Sequence, residues 1–492
     1  MDYSPIISGK KWTTSNVTFS FMTSVLPTYN NNPDFAATFA PVSAAMQAEI
    51  SAILHPAVGG NVLRPVYFSD VSGLTFTQVT GTGGIAIGSY EQPANAPASA
   101  FLPDGSSVGG DIWLGLDFTT PAAPGSHEHL VLIHEIGHAV GLEHGNVYPP
   151  SNSVPNLPNL APQFDNMKYT IMSYNLAPNG AGAYPVGLQQ FDIASLQEMY
   201  GVNYATRADD TVYTFSTSPG IFTIWDGGGV DKIDTHAFTQ RVVIDLQPGH
   251  FSSIGGIENV AMSLVSHLPT ENQSRPLIEN AQGGSGNDDL IGNVISNTLQ
   301  GGAGNNKLYG MDGDDILVSE GTNDILEGGA GNDVLINHQR DGNTQYVFSR
   351  GSGHDGIFDD PTLPSNIDIY LKGLQPSDIK LVVERYDTND PQTPGPDYTY
   401  HLPYIQIINT GDTLLVPWIY RPEDVLQNPN PNWQIYWNYS QDSIQFESGA
   451  TWDMQSLESY VSFKDVATLE EFERLDSVVY AFLTDNLYPW LG

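Results

Sequence analysis

His134, His138 and His144 fall in one eleven-residue stretch, His134-Glu135-Ile136-Gly137-His138-Ala139-Val140-Gly141-Leu142-Glu143-His144. On a helix, imidazoles four residues apart project from one face, roughly 40° off register, so both can reach one metal ion. Glu135 then points beside that ion, where a carboxylate can move the proton of a water molecule. Gly141 permits a backbone turn that would strain other residues, so the chain can swing back and His144 can supply a third nitrogen. Three neutral histidines with an open fourth position describe a catalytic zinc site, because structural zinc is usually closed by four protein ligands, often cysteines. The chain has no cysteine. A lone His-x-x-x-His on an apolar helix recurs by chance, and it is the acid and the glycine in their places that select metal binding.

The elements that must position these residues are legible in outline. Val17 to Met22 alternates and is rich in β-formers, which predicts a first strand. From about Pro41 to Leu54, Val42, Ala45, Met46, Ile50 and Ile53 recur at helical spacing. Strands are expected near Leu74 to Val79, Gly84 to Ser89 and Gly110 to Leu114. The histidine-bearing helix is expected to begin near Ser126, with His127, Glu128 and His129 exposed in its first turns. Residues 146 to 169, rich in Pro and Asn, read as an ordered loop over the metal. Phe191 to Tyr200 reads as a closing helix stopped by Gly201.

Composition narrows the function. At 492 residues the chain can hold two or three domains, and 55 acidic against 17 basic residues give a formal charge of −38. That balance excludes nucleic acid and anionic membrane surfaces as natural partners. Without cysteine, stability must come from packing and bound metal. No cationic segment followed by an apolar one opens the chain, and no apolar run approaches a membrane span.

The histidine stretch resembles the metzincin zinc peptidases, and Thr170-Ile171-Met172-Ser173-Tyr174 looks like their Met-turn. The resemblance implies an α+β catalytic domain over residues 1–205, with zinc on His134, His138 and His144. It places Met172 as an apolar floor under the zinc, and makes Tyr174 both a zinc ligand and, swung away, a stabiliser of the oxyanion. It also implies that a strand near Ala100 and Phe101 forms the upper rim of the cleft, where an extended substrate adds itself by main-chain hydrogen bonds.

From Gly283 to Ile336 the chain repeats every nine residues: GGSGNDDLI, GNVISNTLQ, GGAGNNKLY, GMDGDDILV, SEGTNDILE and GGAGNDVLI. Position eight is always leucine: Leu290, Leu299, Leu308, Leu317, Leu326 and Leu335. If one unit is a half-turn of a parallel β-roll, residues eighteen apart share a side, so Asp288, Asn306 and Asp324 line one edge and Asn297, Asp315 and Asp333 the other. Glycines permit the tight turns, position six carries Asp or Asn, and the leucines stack as an apolar spine. These units resemble the RTX nonapeptide, which implies a calcium-binding β-roll over residues 206–345. Its calcium would be held by Asp288, Asn306, Asp315, Asp324 and Asp333 together with the turns at Gly284, Gly286, Gly301, Gly302, Gly304, Gly329 and Gly331. Asn297 and Asn306 lack full charge, so fewer or weaker ions are expected than a perfect repeat would hold. Upstream, Arg207 to Thr211 and Trp225 to Asp231 are similar to serralysin segments that hold a further calcium, which implies ligands from Arg207, Asp209, Thr211, Asp226, Gly228, Gly229 and Asp231. Glu279 joins them by the same resemblance.

Residues 346–492 are expected to form a β-rich module of the kind that follows RTX repeats, with strands near Ile367 to Leu371 and Leu414 to Trp418. A polar insertion spans 386 to 402, and a helix is expected from Leu469. As a serralysin-type sequence, the chain is expected to be a monomeric extracellular zinc endopeptidase folded by calcium. Its expected partners are protein or peptide substrates, a type I (one-step) exporter that reads a C-terminal signal, and a small periplasmic proteinase inhibitor. Two other classes stay open: a calcium-dependent adhesion module with a vestigial peptidase half, and an RTX pore-former, which would need membrane segments.

Overall fold

A computed structural model of the chain describes residues 1–29, 33–56, 62–93, 96–146, 158–178, 182–339, 342–359, 366–387, 399–416, 443–453 and 461–465. It is largely β-sheet with a few helices, and it divides into two compact units. The first is Met1–Lys232 with Leu246–Ile278; the second is Ile233–Asp245 with Glu279–Gly492. Residues 206–232, which follow the first boundary read from the sequence, cluster with the first unit.

In the first unit, strands β1 (Asn16–Phe21), β2 (Thr75–Gln78), β3 (Ile85–Tyr90), β4 (Ala98–Ala100) and β5 (Ile112–Gly115) form one sheet in the order β2-β1-β3-β5-β4. Only β4 runs antiparallel, and it lies at the edge. Helix α1 (Ala44–Leu54) starts where the Ser43 hydroxyl accepts the Met46 N–H, satisfying one of the donors that a helix start leaves open. Its buried face, Met46, Ile50, Ile53 and Leu54, joins Val17, Phe19, Ile85 and Ile87 in the main core.

Helix α2 (His127–Ala139) starts at Ser126, whose hydroxyl accepts the His129 N–H. Every residue from His129 to Ala139 is buried, so α2 is a core helix rather than an amphipathic one. His127 and Glu128 are exposed, as expected. His129 departs from that expectation: its Nε2 lies 3.2 Å from the Tyr67 hydroxyl and its Nδ1 3.3 Å from Glu49 Oε1. Helix α3 (Gln190–Tyr200) ends where Gly201 takes φ +81°, a conformation that costs glycine little.

The second unit stacks its strands in parallel on two sheets. One carries Asp289–Ile291, Lys307–Asp312 and Ile325–Ala330; the other carries Asn280–Gln282, Thr298–Gln300, Ile316–Ser319 and Val334–Asn337. Leu290 pairs in register with Leu308 and Leu308 with Leu326, while Leu299 pairs with Leu317 and Leu317 with Leu335. Residues eighteen apart therefore share a side. This large parallel region is consistent with a β-roll. The next partners are Tyr346 and Ile357, so the step lengthens once the nonapeptides end. Beyond them Ile379–Asp387 and Thr399–Ile407 form an antiparallel pair. Strands Asn366–Leu371 and Thr413–Leu415 lie near the expected places. Residues 388–398 of the insertion, Trp418, the helix expected from Leu469 and the C-terminal end lie outside the described residues.

Because Leu308 is fully buried between Leu290 and Leu326, Leu308→Ala should destabilise the second unit by about 2–5 kcal/mol. Denaturant unfolding of the variant beside the parent protein, in the same buffer, checks it.

Candidate metal centre

The three histidines meet. His144 Nε2 lies 3.1 Å from His134 Nε2 and 3.2 Å from His138 Nε2. His134 Nδ1 is 2.8 Å from the Ile171 carbonyl oxygen, and His138 Nδ1 is 2.9 Å from that of Leu142. A carbonyl only accepts, so each Nδ1 carries the proton and each Nε2 presents a lone pair. Burial, reinforced by the neighbouring imidazoles, holds all three rings down at about 3, so they are neutral at physiological pH. Lone pairs facing one another at such distances repel unless a cation lies between them. At the usual Zn–N distance of about 2.0–2.1 Å, tetrahedral nitrogens stand about 3.3 Å apart. The donor set and its spacing fit zinc, and these three residues form a group able to hold a metal ion.

Two glycines make the convergence possible. A Cβ on Gly137 would sit 2.9 Å from Met172 Sδ, so the bare helix surface lets the fully buried Met172 lie against α2. Gly141 has φ +104°, and a Cβ there would sit 2.2 Å from the Lys10 carbonyl oxygen. The turn after α2 thus needs glycine twice over, for conformation and for space.

The segment around Met172 is fixed by a residue whose role the sequence reading did not single out. Asp192, fully buried in the first turn of α3, accepts hydrogen bonds from the Thr170 hydroxyl at 2.6 Å and from the N–H groups of Ile171 and Gln189 at 2.9 Å. The same Ile171 orients His134. Burial pushes the Asp192 carboxyl up to about 7, against the pull of those donors. Asp165 does similar service beside it, accepting from the Ser173 hydroxyl at 2.8 Å and from Asn146 and Asn175 side-chain amides at 2.6 and 2.9 Å. For Asp192 the signal in the sequence is an acid in the first turn of the helix read from Phe191.

Glu135 is buried beside the triad, and burial alone pushes its carboxyl up to about 8. Tyr174 is 54% exposed, with its ring centroid 5.6 Å from that of His134 and 4.8 Å from that of His144. Burial, then Glu135 and Glu143, push its phenol up to about 12. Ala100 ends edge strand β4, and Phe101 follows it, exchanging backbone hydrogen bonds with Gly110 and Asp111.

Residues 191–370 match the family described as peptidase M10 serralysin C terminal. The chain is 35% identical over 263 residues to metalloprotease AprA of Pseudomonas entomophila (strain L48), covering 47% of this chain and 52% of that protein. It is 33% identical to serralysin of Proteus mirabilis, covering 47% and 53%, and 32% identical to serralysin C of Dickeya chrysanthemi, covering 56% and 59%. Serralysin-type metallopeptidases are its relatives. The chain spans between about half and three fifths of the length of these curated relatives.

The stretch matched to the serralysin C-terminal family contains both sets of acids read as calcium ligands. In the first unit, Asp226 accepts the Tyr213 hydroxyl at 2.6 Å and the Gly228 N–H at 2.9 Å. Asp231 accepts the Thr211 N–H, and the Thr211 hydroxyl donates to the Asp209 carbonyl, both at 2.8 Å. Gly229, at φ +140°, packs on the Asp209 backbone, and Arg207 takes φ +52°. In the second unit, the Glu279 carbonyl accepts from Asn297 Nδ2 and the Thr298 N–H.

The repeats form ladders. The Asp288 N–H donates to Asn306 Oδ1 and the Asn306 N–H to Asp324 Oδ1; on the other edge Asn297 donates to Asp315 and Asp315 to Asp333. Oδ2 of Asp315 and of Asp333 is buried with no hydrogen-bond partner. Burial pushes these carboxyls up to about 8 and about 7. Cβ atoms on Gly302, Gly304 and Gly331 would fall 2.2, 1.9 and 1.9 Å from carbonyl oxygens of Gly284, Gly286 and Gly313, and one on Gly329 would fall 1.8 Å from that of Met311. A Cβ on Gly283 would likewise meet the Gly301 carbonyl at 2.4 Å. Buried carboxylate oxygens beside close-set carbonyls suit a hard, oxygen-seeking cation.

Asp192→Ala strands the Thr170 hydroxyl and two buried N–H groups without an acceptor. The expected loss is about 3 kcal/mol or more, read as a lowered melting temperature.

Proposed function

We propose that this chain is a secreted zinc endopeptidase of serralysin type, with a metzincin-like catalytic domain and calcium in its repeats. The convergence of three imidazole lone pairs beside a buried carboxylic acid carries the reading. His134, His138 and His144 would hold zinc, with Tyr174 as a further ligand. Zinc bound there supplies a Lewis acid that polarises a carbonyl and brings the acidity of water to near neutral pH. Glu135 takes a proton from the attacking water and delivers it to the leaving amine nitrogen. Its carboxyl is held up by burial, and a dication alongside would lower it toward the ionised, proton-accepting form. The Tyr174 phenol keeps its proton at neutral pH and donates it in a hydrogen bond to the oxyanion. An extended protein or peptide substrate would lie along edge strand β4 beside Ala100 and Phe101.

Calcium is the folding ligand in this reading. In a compartment poor in calcium the acidic ladders would repel and the repeats stay unfolded; at millimolar calcium they would condense. Export through a one-step exporter and folding outside the cell then share one switch. Among the described residues no helix is long and apolar enough to cross a membrane. A small periplasmic proteinase inhibitor would be a natural partner, and the protein would act as a monomer.

Two measurements test the parts separately. Glu135→Ala should lower casein cleavage by about 10²–10⁴-fold while zinc content stays unchanged, and a zinc-selective chelator should abolish cleavage. Activity that survives both changes would overturn the peptidase reading. Circular dichroism during calcium titration against chelator should show ordering of the repeat region, and a spectrum that does not respond would overturn the switch.

A further inference from the structure

The third histidine depends on the turn that follows α2, and that turn is held largely by the first residues of the chain. A helix end leaves backbone carbonyls without partners, and here they fall next to the metal centre. The Ala139 carbonyl accepts Trp12 Nε1–H at 2.9 Å. The Val140 carbonyl accepts the Tyr200 hydroxyl at 2.7 Å, and the Tyr200 hydroxyl oxygen in turn accepts the Trp12 N–H at 3.1 Å. The Gly141 carbonyl accepts the Ser8 hydroxyl at 2.7 Å and the Ser8 N–H at 3.2 Å. Ile7 bridges Leu142, and the Glu143 N–H donates to the Ile6 carbonyl at 2.9 Å. The bridged Leu142 offers the carbonyl that orients His138, and Glu143 leads into His144.

We infer that the segment Ile6–Trp12, with Tyr200, is a positioning strap for the metal centre: it holds the Ala139–Glu143 turn so that His144 meets the other two rings. The inference rests on the zinc reading above. Ser8, Trp12 and Tyr200 act through the turn. Loosening the strap leaves His134 and His138 on a rigid buried helix, frees the third nitrogen and slackens the Leu142 carbonyl that orients His138, so its effect is on metal affinity before it is on folding. Lys11 supplies an internal control, since its Nζ donates to the Met199 carbonyl on α3 and not to the turn.

The test is metal affinity of the full chain, by competition of zinc against a chromophoric chelator and by the absorption spectrum of the cobalt-substituted protein. Tyr200→Phe keeps the ring and removes the hydroxyl that donates to Val140 and accepts from Trp12, and Trp12→Phe removes the indole donor with part of the ring. Each should weaken zinc about tenfold or more and alter the cobalt spectrum, whereas Lys11→Gln should do neither. Affinity and spectrum unchanged in both variants, or changed no more than in Lys11→Gln, would overturn the strap. If Trp12→Phe does not fold, Tyr200→Phe decides on the same criteria. A parent protein that takes up neither zinc nor cobalt would overturn the zinc reading itself.

Discussion

Three lone pairs pressed to within about a tetrahedral edge of one another form the constraint on which the first unit depends. Neutral imidazoles are tolerable in a core, but three with their bare nitrogens turned inward are not, unless positive charge sits among them. The surrounding structure removes every easier arrangement. Carbonyls of Ile171 and Leu142 hold the protons of His134 and His138 on the outer nitrogens, and Glu143 Oε1, 3.3 Å from His144 Nδ1, favours the same tautomer in the third ring. A helix buried on all sides keeps His134 and His138 from turning away. Rings held in this way have little freedom to lose when an ion binds among them.

The second unit meets the same difficulty with oxygen in place of nitrogen. Its carboxylates are buried in ladders where one oxygen is used by the next rung and the other, in Asp315 and Asp333, has no donor. Burial, with the neighbouring carboxylates, pushes these acids well above the usual carboxylate range. A chain with a formal charge of −38 therefore has reason to fold cooperatively with cations. Soft nitrogen donors in one unit and hard oxygen donors in the other also keep the two proposed ions from exchanging places, since zinc favours imidazole and calcium takes oxygen.

What was legible in the sequence was periodic. The four-residue spacing of His134 and His138 and the leucine in every ninth position are local signals, and a helix and a stacked strand follow directly from them. Asp192, Asp165 and the strap carry no period. Partners that define their roles lie far along the chain, as in Asp192 with Thr170, 22 residues away, and Ser8 with Gly141, 133 away. His129 shows the same limit from the other side. Near a helix start an exposed polar residue is the natural reading, and only the distant Tyr67 and Glu49 explain its burial. Met311 is a further case: it takes φ +86° at the repeat position where Gly302 and Gly329 also adopt positive φ, although its residue type does not announce that conformation.

Rigidity is distributed around the centre in a way that matches the division of labour proposed for it. Glu135 sits on α2, where burial keeps its carboxyl from wandering and a low dielectric makes its charge matter. Tyr174 is the opposite case. Its ring stands more than half exposed, yet the backbone that carries it is pinned on both sides, through Asp192 to Thr170 and Ile171 and through Asp165 to Ser173 and Asn175. An exposed ring on a pinned backbone suits the two placements proposed for this phenol, as ligand and as hydrogen-bond donor, because the side chain can change rotamer without the turn beneath it shifting.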